Sequence, residues 1–205
     1  RQVKQLKKDR HMSEVLKNMI PFPNKKYNVI YADPPWQYNN YNYARTKDGR
    51  RAKRGVAKEY DVMNIEDIKQ LPIQDISDDN CILFLWVTFP FLYEGLNTMK
   101  AWGFEYKTCG FNWIKKNKVS DSLFWGMGHW TRSNSELCLL GVKGKPKRMS
   151  ASVHQVVLSP IGKHSKKPDI VRDKIVELCG DVPRIELFAR QHVLGWDAWG
   201  NDVYN

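Results

Sequence analysis

An apolar strand that ends abruptly at two prolines limits the fold of this chain more than any other feature. The run Tyr27-Asn28-Val29-Ile30-Tyr31-Ala32 has the length and the aromatic and β-branched composition of a buried strand. Asp33 follows it, and then Pro34 and Pro35, which can neither continue a strand ladder nor donate a backbone N–H. Open α/β sheets bind their ligands at the carboxyl ends of such strands, so Asp33 is a candidate site residue.

The tetrapeptide Asp33-Pro34-Pro35-Trp36 suits chemistry on the exocyclic amino group of a nucleobase. Such a group is a poor nucleophile, because its lone pair is delocalised into the ring. Asp33 could accept one N–H and the carbonyl of Pro34 the other, which would localise the lone pair. Trp36 offers a flat face for an extruded base, and such stacking is worth about 1–3 kcal/mol per base. The structural alternative is that Asp33 only shapes a turn and Trp36 only packs.

The net charge of the chain indicates a partner with dense negative charge. The 205 residues carry a formal charge of +11, and nucleic acid is the commonest partner of so basic a protein. No apolar run is long enough to span a membrane. Cys81, Cys109, Cys138 and Cys179 each lie alone in apolar runs, which indicates reduced core cysteines rather than disulfides or a metal site. We therefore expect a cytoplasmic protein that needs no metal and does not associate with membranes.

The sequence also predicts how the chain is divided into domains. The dipeptide His11-Met12 resembles a cloning scar, so residues 1–11 are interpreted as a cloning-derived or disordered segment. Residues 12–205 are expected to form one domain. A basic helical pattern covers residues 1–19 and so begins before that domain. Residues 37–59 show neither helical nor strand periodicity, and aromatic residues are interspersed with cationic ones in this segment. This segment is predicted to grip a nucleic acid, with a solvated insertion as the alternative.

Alternating strand and helix patterns fill the rest of the chain. They predict a mostly parallel α/β sheet flanked by helices, with right-handed crossovers. Helices are expected at 65–70 after Asn64, from Pro90 to Trp102, and at 168–179. Strands are expected at 81–87, 104–115, 135–142, 152–158 and 184–189. The Gly126-x-Gly128 pair follows no strand and opens no helix, so it is not a dinucleotide fingerprint.

From residue 27 to its end the chain resembles a known family. Its motifs, in family order, are Ala32-Asp33-Pro34-Pro35-Trp36, Tyr60-Asp61-Val62-Met63, Leu83-Phe84-Leu85-Trp86-Val87-Thr88, Gly128-His129-Trp130, Glu136-Leu137-Cys138-Leu139-Leu140-Gly141-Val142-Lys143-Gly144, Ser165-Lys166-Lys167-Pro168-Asp169 and Arg184-Ile185-Glu186-Leu187-Phe188-Ala189-Arg190. They resemble the S-adenosylmethionine-dependent N6-adenine methyltransferases named after the seventy-kilodalton subunit of the mRNA adenosine methyltransferase. The ordered set is far more specific than any single motif.

This resemblance implies a Rossmann-like methyltransferase fold in which the catalytic motif precedes the cofactor motifs. Asp33 would contact the target amino group and S-adenosylmethionine, and Lys167 would form part of a gate between cofactor and substrate. Arg190, His192 and Asn201 would hold the ribose and neighbouring polar groups of the cofactor. The nucleic-acid-binding residues expected from the resemblance and from the basic segment are Tyr38, Asn39, Arg50, Arg51, Lys53, Arg54, Tyr60 and Lys166.

The function expected on these grounds is methyl transfer to adenine N6 in nucleic acid, with DNA favoured over RNA because the chain is small and of prokaryotic or phage type. Two alternatives belong to other classes. One is a catalytically silent nucleic-acid-binding subunit of a methyltransferase complex, and the other is a plain RNA-binding module. A homodimer is compatible with so small a domain, because one copy offers little area for reading sequence.

Overall fold

A seven-stranded sheet with helices on both faces forms the body of the domain. The computed structural model describes residues 20–36, 63–128, 130–162 and 166–203, and the backbone of 43–45 and 51–53. The predicted helix within residues 1–19 lies outside this part of the chain. The strands are β1 (Tyr27–Ala32), β2 (Tyr43–Arg45), β3 (Arg51–Lys53), β4 (Ser77–Val87), β5 (Glu105–Lys116), β6 (Ser135–Lys143), β7 (Val156–Pro160), β8 (Arg184–Leu187) and β9 (Asp197–Trp199). The helices are α1 (Ile65–Lys69), α2 (Ile73–Ile76), α3 (Leu92–Ala101) and α4 (Ile170–Cys179), with 3₁₀ turns at Phe89–Phe91 and Asn201–Val203.

The direction of the strands decides which residues meet at one edge. The order across the sheet is β7-β5-β6-β4-β1-β8-β9. Strand β1 pairs parallel with β4 and β8, β9 pairs parallel with β8, and β7 pairs parallel with β5. Strand β6 is antiparallel to both β4 and β5. The expected α/β sheet is therefore confirmed as mostly parallel, and one edge gathers the amino end of β6 with the carboxyl ends of the other strands.

Strands β1 and β4 are buried on both faces, as their continuous apolar sequences predict. On one face Ile30 and Leu83 join the cluster that contains Trp102 of the α3 end. On the other face Tyr31 packs with Ile175 of α4. Full burial of each such aliphatic side chain contributes about 1.5–3 kcal/mol. No helix in the described ranges is long and apolar enough to cross a membrane.

Several element ends confirm the sequence-based expectations. Helix α1 begins after Asn64, whose side chain accepts the backbone N–H of Glu66 at 3.0 Å. Gly103 follows α3 with a φ of 84°, and Gly180 follows α4 with a φ of 85°. Left-handed φ values of this kind explain why glycine ends both helices. The helix predicted from Pro90 begins instead as a 3₁₀ turn before α3.

Several sequence-based expectations about the strands were wrong. Strand β7 begins at Val156 rather than near residue 152, because the Ser150 hydroxyl binds the backbone N–H of Ser152 and closes a local turn. Strand β8 ends at Leu187 rather than near residue 189, because Phe188 adopts a φ of 60°. Residues 37–59 contain the antiparallel pair β2–β3, so this segment is not entirely without regular structure.

Gly200 lies against the backbone that follows β8, where a side chain has no room. A Cβ at this position would lie 2.5 Å from the Ala189 carbonyl oxygen and 2.7 Å from the Ala189 nitrogen. Since backbone atoms cannot move aside as a flexible side chain can, we expect Gly200→Ala to lower the free energy of unfolding by about 1–3 kcal/mol. Thermal unfolding should report this loss as a lower Tm.

Gly162→Ala is the matched control for this substitution. Its Cβ would meet Lys166 Cβ at 3.4 Å, which is an ordinary van der Waals distance. The control should therefore keep a Tm close to that of the wild type. Equal Tm values for the two variants would contradict the close backbone approach at Gly200.

Candidate active site

Asp33 is the first residue after β1 and lies at the edge where the parallel strands end. Pro34, which follows it, is buried, and its carbonyl accepts the backbone N–H of Trp36 at 2.9 Å. The carbonyl of Pro35 accepts the backbone N–H of Met63 at 3.3 Å. The turn after the strand is thus held by its own backbone and by a segment just before α1. Because a carbonyl oxygen has two lone pairs, Pro34 can still accept a second hydrogen bond.

Asp33 belongs to a row of alternating charges. Lys167 Nζ lies 2.8 Å from Asp33 Oδ2 and 3.3 Å from Glu136 Oε2. The other oxygen of Glu136, Oε1, lies 2.5 Å from Lys115 Nζ. Two carboxylates and two ammonium groups therefore alternate along the row Asp33–Lys167–Glu136–Lys115, which we call the charge row. Their formal charges cancel.

The reversed direction of β6 explains why these four residues meet. Glu136 is the second residue of β6, so it lies at the same edge as the carboxyl end of β5. Lys115 is near that carboxyl end, and Glu136 pairs in register with Trp113. Lys167 arrives from the loop before α4, which packs on the face of the sheet that carries Tyr31. A strand parallel to its neighbours would have placed Glu136 at the opposite edge.

Burial and neighbouring charges shift the pKa values of this row in different directions. Burial raises the pKa of Asp33 above its ordinary value, although the Lys167 ammonium opposes the rise. Burial would also raise the pKa of Glu136, but Lys167 and Lys115 together hold that pKa below its usual range. The pKa of Lys167 is raised, because the attraction of Asp33 and Glu136 outweighs the opposing effect of its burial. The two carboxyl groups are therefore electrostatically unlike.

Trp36 does not present the open face that the sequence suggested, and this expectation needs correction. Its side chain is only 6% exposed and stacks on Phe91, with ring centroids 6.0 Å apart. Its Nε1 donates to the backbone carbonyl of Trp86 at 3.0 Å. A buried indole whose N–H finds a partner is a packing element. Trp36 therefore anchors the turn that carries Asp33 to the end of β4.

The residues expected at the cofactor lie beyond the ends of β8 and β9. Arg190 and His192 are exposed and follow β8, and the positive charge of Arg190 acts on Asp33. His192 Nε2 lies 3.2 Å from the carbonyl oxygen of Val203, in the same 3₁₀ turn as the exposed Asn201. The structure thus places these three residues near one another at the sheet edge that carries Asp33.

Most of the predicted nucleic-acid-binding residues fall in the part of the chain whose side chains the structure does not describe. Tyr38, Asn39, Arg50, Arg54 and Tyr60 lie outside the described residues. Arg51 and Lys53 are in β3, for which the backbone alone is described. Lys166 is exposed, and its Nζ lies 2.5 Å from Asp169 Oδ2.

Sequence reasoning missed Glu136 and Lys115 as members of the site. Glu136 opens an apolar strand, where an acidic residue next to the core needs a cationic partner. Lys115, near the carboxyl end of β5, likewise places a charge next to the core and needs a partner of opposite charge. What the sequence did not give was the reversed direction of β6, without which the two side chains could not be assigned to the edge of Asp33.

A model of the MT-A70 family matches residues 27–202 of the chain. The chain belongs to the MT-A70 family. It is 34% identical over 211 residues to the type II methyltransferase M.MunI of a Mycoplasma species, an alignment that covers 98% of this chain and 88% of that protein. It is also 29% identical to the human N6-adenosine-methyltransferase catalytic subunit METTL3 and to a Drosophila melanogaster MT-A70-like protein, over 87% of this chain in each case. The chain spans only 28% and 27% of those two proteins, respectively.

Membership of the MT-A70 family makes the chain an N6-adenine methyltransferase that uses S-adenosylmethionine. The residues at the sheet edge fit that cofactor by their chemistry. S-adenosylmethionine carries sulfonium and ammonium cations, a carboxylate and ribose hydroxyls. Asp33 could bind a cation, Arg190 a carboxylate, and the ring of His192 and the amide of Asn201 hydroxyl groups.

The unlike carboxyl groups of the charge row predict opposite effects on stability. A carboxyl group whose folded-state pKa is raised destabilises the folded state once the pH exceeds its unfolded-state pKa, and one whose pKa is lowered stabilises it there. Asp33→Asn should therefore raise the Tm at neutral pH, whereas Glu136→Gln should lower it.

The sign of both effects can be checked by repeating the thermal scans at decreasing pH. The stabilisation by Glu136 should fade as the pH falls through its lowered folded-state pKa. The destabilisation by Asp33 should disappear below its unfolded-state pKa, where the carboxyl is protonated in both states. A Tm that falls in Asp33→Asn at neutral pH would contradict the raised pKa of Asp33.

Proposed function

We propose that this protein transfers the methyl group of S-adenosylmethionine to the N6 amino group of adenine in DNA. The position of Asp33 is the observation that carries the proposal. It lies at the ligand-binding edge of a mostly parallel sheet, with a proline carbonyl beside it and a lysine on one of its oxygens. This arrangement offers two acceptors to an amino group that has two hydrogens.

The extent of the similarity supports DNA rather than RNA as the polymer. The relative that aligns over 98% of the chain is a type II methyltransferase, a class that modifies DNA. The relatives named for N6-adenosine match through about a quarter of their own length. Such a substrate also agrees with the cytoplasm of a prokaryotic cell as the site of action.

Asp33 and Pro34 would act by positioning and by electrostatics. S-adenosylmethionine, when bound, supplies an electrophilic methyl group on a positively charged sulfur. Asp33 and the Pro34 carbonyl would each accept one N–H of the adenine amino group, which frees the nitrogen lone pair to form the new N–C bond. The bond between the methyl carbon and the sulfur would break in the same step, and its electron pair would stay on the sulfur, which leaves as a neutral thioether. The amino nitrogen gains positive charge in that step, and the nearby Asp33 carboxylate stabilises this charge. The surplus proton can leave to water afterwards, so no separate base is required before transfer.

Lys167 would control whether the Asp33 carboxyl is ionised in this mechanism. Its ammonium opposes the rise in the pKa of Asp33 that burial causes, and so favours the acceptor form of the carboxylate. A carboxylate has about four lone-pair positions on two oxygens, so Lys167 on Oδ2 leaves room for an amino N–H. Glu136, which also pairs with Lys115, holds Lys167 from its other side.

The target adenine must leave the base stack to reach a carboxylate at this depth. Extrusion costs a few kcal/mol in a duplex and less in a single strand. Since Trp36 is buried, the proposal assigns it to the support of Asp33 rather than to stacking. The basic segment 37–59 is proposed to hold the phosphates on either side of the extruded base.

The first test is transfer of labelled methyl from S-adenosylmethionine to single-stranded DNA, duplex DNA and RNA of matched sequence. We expect label on adenine N6 in DNA. Asp33→Ala should reduce the rate by about 10²–10³-fold, which is the loss typical when one electrostatic contact to the reacting group is removed. Labelling of RNA in preference to DNA would overturn the choice of polymer.

The same assay distinguishes the active enzyme from a second candidate function, that of a catalytically silent subunit. A catalytically silent subunit would bind nucleic acid but leave no label on any polymer, with or without Asp33. The intact Asp33–Lys167 pair favours the active enzyme, because a silent subunit has no need of a carboxylate whose burial raises its pKa.

Salt dependence tests the proposed role of the basic segment. Alanine at Arg50, Arg51, Lys53 and Arg54 should weaken DNA binding and flatten the plot of log Kd against log salt by about 0.9 for each lost phosphate contact. The matched control removes four charges from the opposite edge of the sheet, at Lys100, Lys145, Lys147 and Arg148. All four residues are exposed. Lys100 is in the last turn of α3, and the other three follow the carboxyl end of β6, away from Asp33. Equal slopes in the two quadruple variants would contradict the assignment.

A further inference from the structure

Arg172 in the first turn of α4 is a buried cation that the proposed mechanism does not use. The residue is 9% exposed. Its Nε and Nη2 donate to the two carboxylate oxygens of Glu186 on β8, at 2.7 and 2.8 Å. Its Nη1 donates to Asp169 Oδ1 at 2.8 Å. Burying a guanidinium is costly unless all its polar edges are satisfied, so this bonding pattern calls for an explanation.

Asp169 precedes α4 and departs from the usual behaviour of an aspartate in that position. It occupies the N-cap, yet its side chain makes no capping hydrogen bond to the helix. A cap of this kind is typically worth about 1 kcal/mol. The carboxylate instead binds Arg172 through one oxygen and Lys166 through the other. Asp169 is therefore committed to holding the segment that leads into the helix.

That segment is short and stiff, and it carries Lys167. Pro168 alone separates Lys167 from Asp169, and its ring fixes one backbone torsion. The carbonyls of Pro168 and Asp169 accept the backbone N–H groups of Val171 and Arg172 and so begin the helix. Because this connection is stiff, a displacement of Asp169 would also displace the backbone of Lys167.

Arg172 fixes this segment to the strand beside the one that delivers Asp33. Glu186 pairs in register with Tyr31 of β1, and the guanidinium lies 5.8 Å from the centre of the Tyr31 ring. The Tyr31 hydroxyl accepts Nε1 of Trp86 at 2.7 Å, and the Trp86 ring lies 5.6 Å from Lys167 Nζ. The same set of contacts therefore restrains both ends of Lys167. Asp169 and Arg172 restrain its backbone, and the Trp86 ring lies beside its ammonium group.

We propose that Arg172 is a positioning residue that sets Lys167 against Asp33, and that it acts through Asp169. The inference rests on the role proposed for Lys167 in methyl transfer. Lys167 has a flexible four-carbon stem, so attraction alone would let its ammonium settle on Glu136 and leave Asp33. The ion pair between Arg172 and Asp169 limits that freedom by fixing where the stem begins.

Asp169→Asn is the informative substitution, because Asp169 is exposed and its loss leaves the bond between Arg172 and Glu186 in place. We expect kcat to fall by about tenfold or more, since small misplacements of catalytic groups cost up to about 10²-fold. KM for DNA should stay close to the wild-type value. Arg172→Lys, which keeps the charge but loses the forked geometry, should behave in the same way.

The pH dependence of kcat/KM is the readout that a merely structural role would not move. The charged groups that act on Asp33 are Lys167, Glu136 and Arg190. Because Lys167 lowers the pKa of Asp33, its displacement lets that pKa rise. The acidic limb of the profile should then move to higher pH in Asp169→Asn, and in the same direction in Lys167→Met.

Asp181→Asn is the matched control. Asp181 also lies three residues before its arginine, with Arg184 Nη1 2.7 Å from Asp181 Oδ1, and it is likewise exposed. This pair lies at the amino end of β8, where Arg184 is the first residue of the strand, at the edge opposite Asp33. The control should keep the wild-type kcat and pH profile. A loss of activity there equal to that of Asp169→Asn would overturn the proposal, because any broken surface ion pair would then have the same effect.

A double-mutant cycle separates this inference from the function on which it rests. If Arg172 and Asp169 act through Lys167, Asp169→Asn should change nothing further in a Lys167→Met background. An additive effect in that background would overturn the positioning role. An unmoved acidic limb in Lys167→Met alone would refute the proposed role of Lys167. A limb that moves in Lys167→Met but not in Asp169→Asn would refute the present inference alone.

Discussion

The parallel pairing of β1 between β4 and β8 is the constraint on which the rest of the structure depends. It buries β1 on both faces and fixes the register that ends the strand at Asp33. It also sets Glu186 beside Tyr31, which gives α4 its anchor on the sheet. Successive strands that run in the same direction need long crossover connections. Helix α3 lies in the connection from β4 to β5, and α4 lies in the connection from β7 to β8, on the other face. The site is therefore a consequence of the central strand order rather than an addition to it.

The charge row at this edge is explained better by the proposed function than by its contribution to stability. Isolated buried charges cost several kcal/mol each, and their mutual attraction seldom returns more than that cost. The raised pKa of Asp33 is a sign of this cost, because its charged form is disfavoured even with Lys167 beside it. Glu136 is in the opposite situation, held by two cations. Within the charge row, the unfavourable cost of desolvation therefore falls mainly on Asp33, the carboxylate that is proposed to contact the substrate.

The sequence predicted the parts of this site whose residue types carry their own chemistry. Asp33 could be recognised because two prolines ended an apolar strand, and Lys167 and Arg190 because they stand in ordered motifs. The fold class followed from alternating patterns, and the helix ends followed from Asn64, Gly103 and Gly180. Glu136 could not be assigned, since the reversed direction of β6 comes from tertiary pairing rather than from local pattern. The burial of Trp36 was missed for a similar reason, because its partner Trp86 is 50 positions away along the chain and its partner Phe91 is farther still.

The position of Lys167 depends on two different kinds of restraint, and they do different things. Attraction to Asp33 and Glu136 draws the ammonium to the row, but Coulomb attraction has little directional preference and would tolerate several placements of a flexible chain. The link from Asp169 through Arg172 to Glu186 restrains the backbone instead, with three hydrogen bonds of defined geometry. In the proposed arrangement, the second restraint favours the contact of Lys167 with Asp33 over its contact with Glu136. An enzyme that needs Lys167 on Asp33 at the moment of transfer would therefore require a fixed guanidinium in α4, at a distance from the reacting atoms.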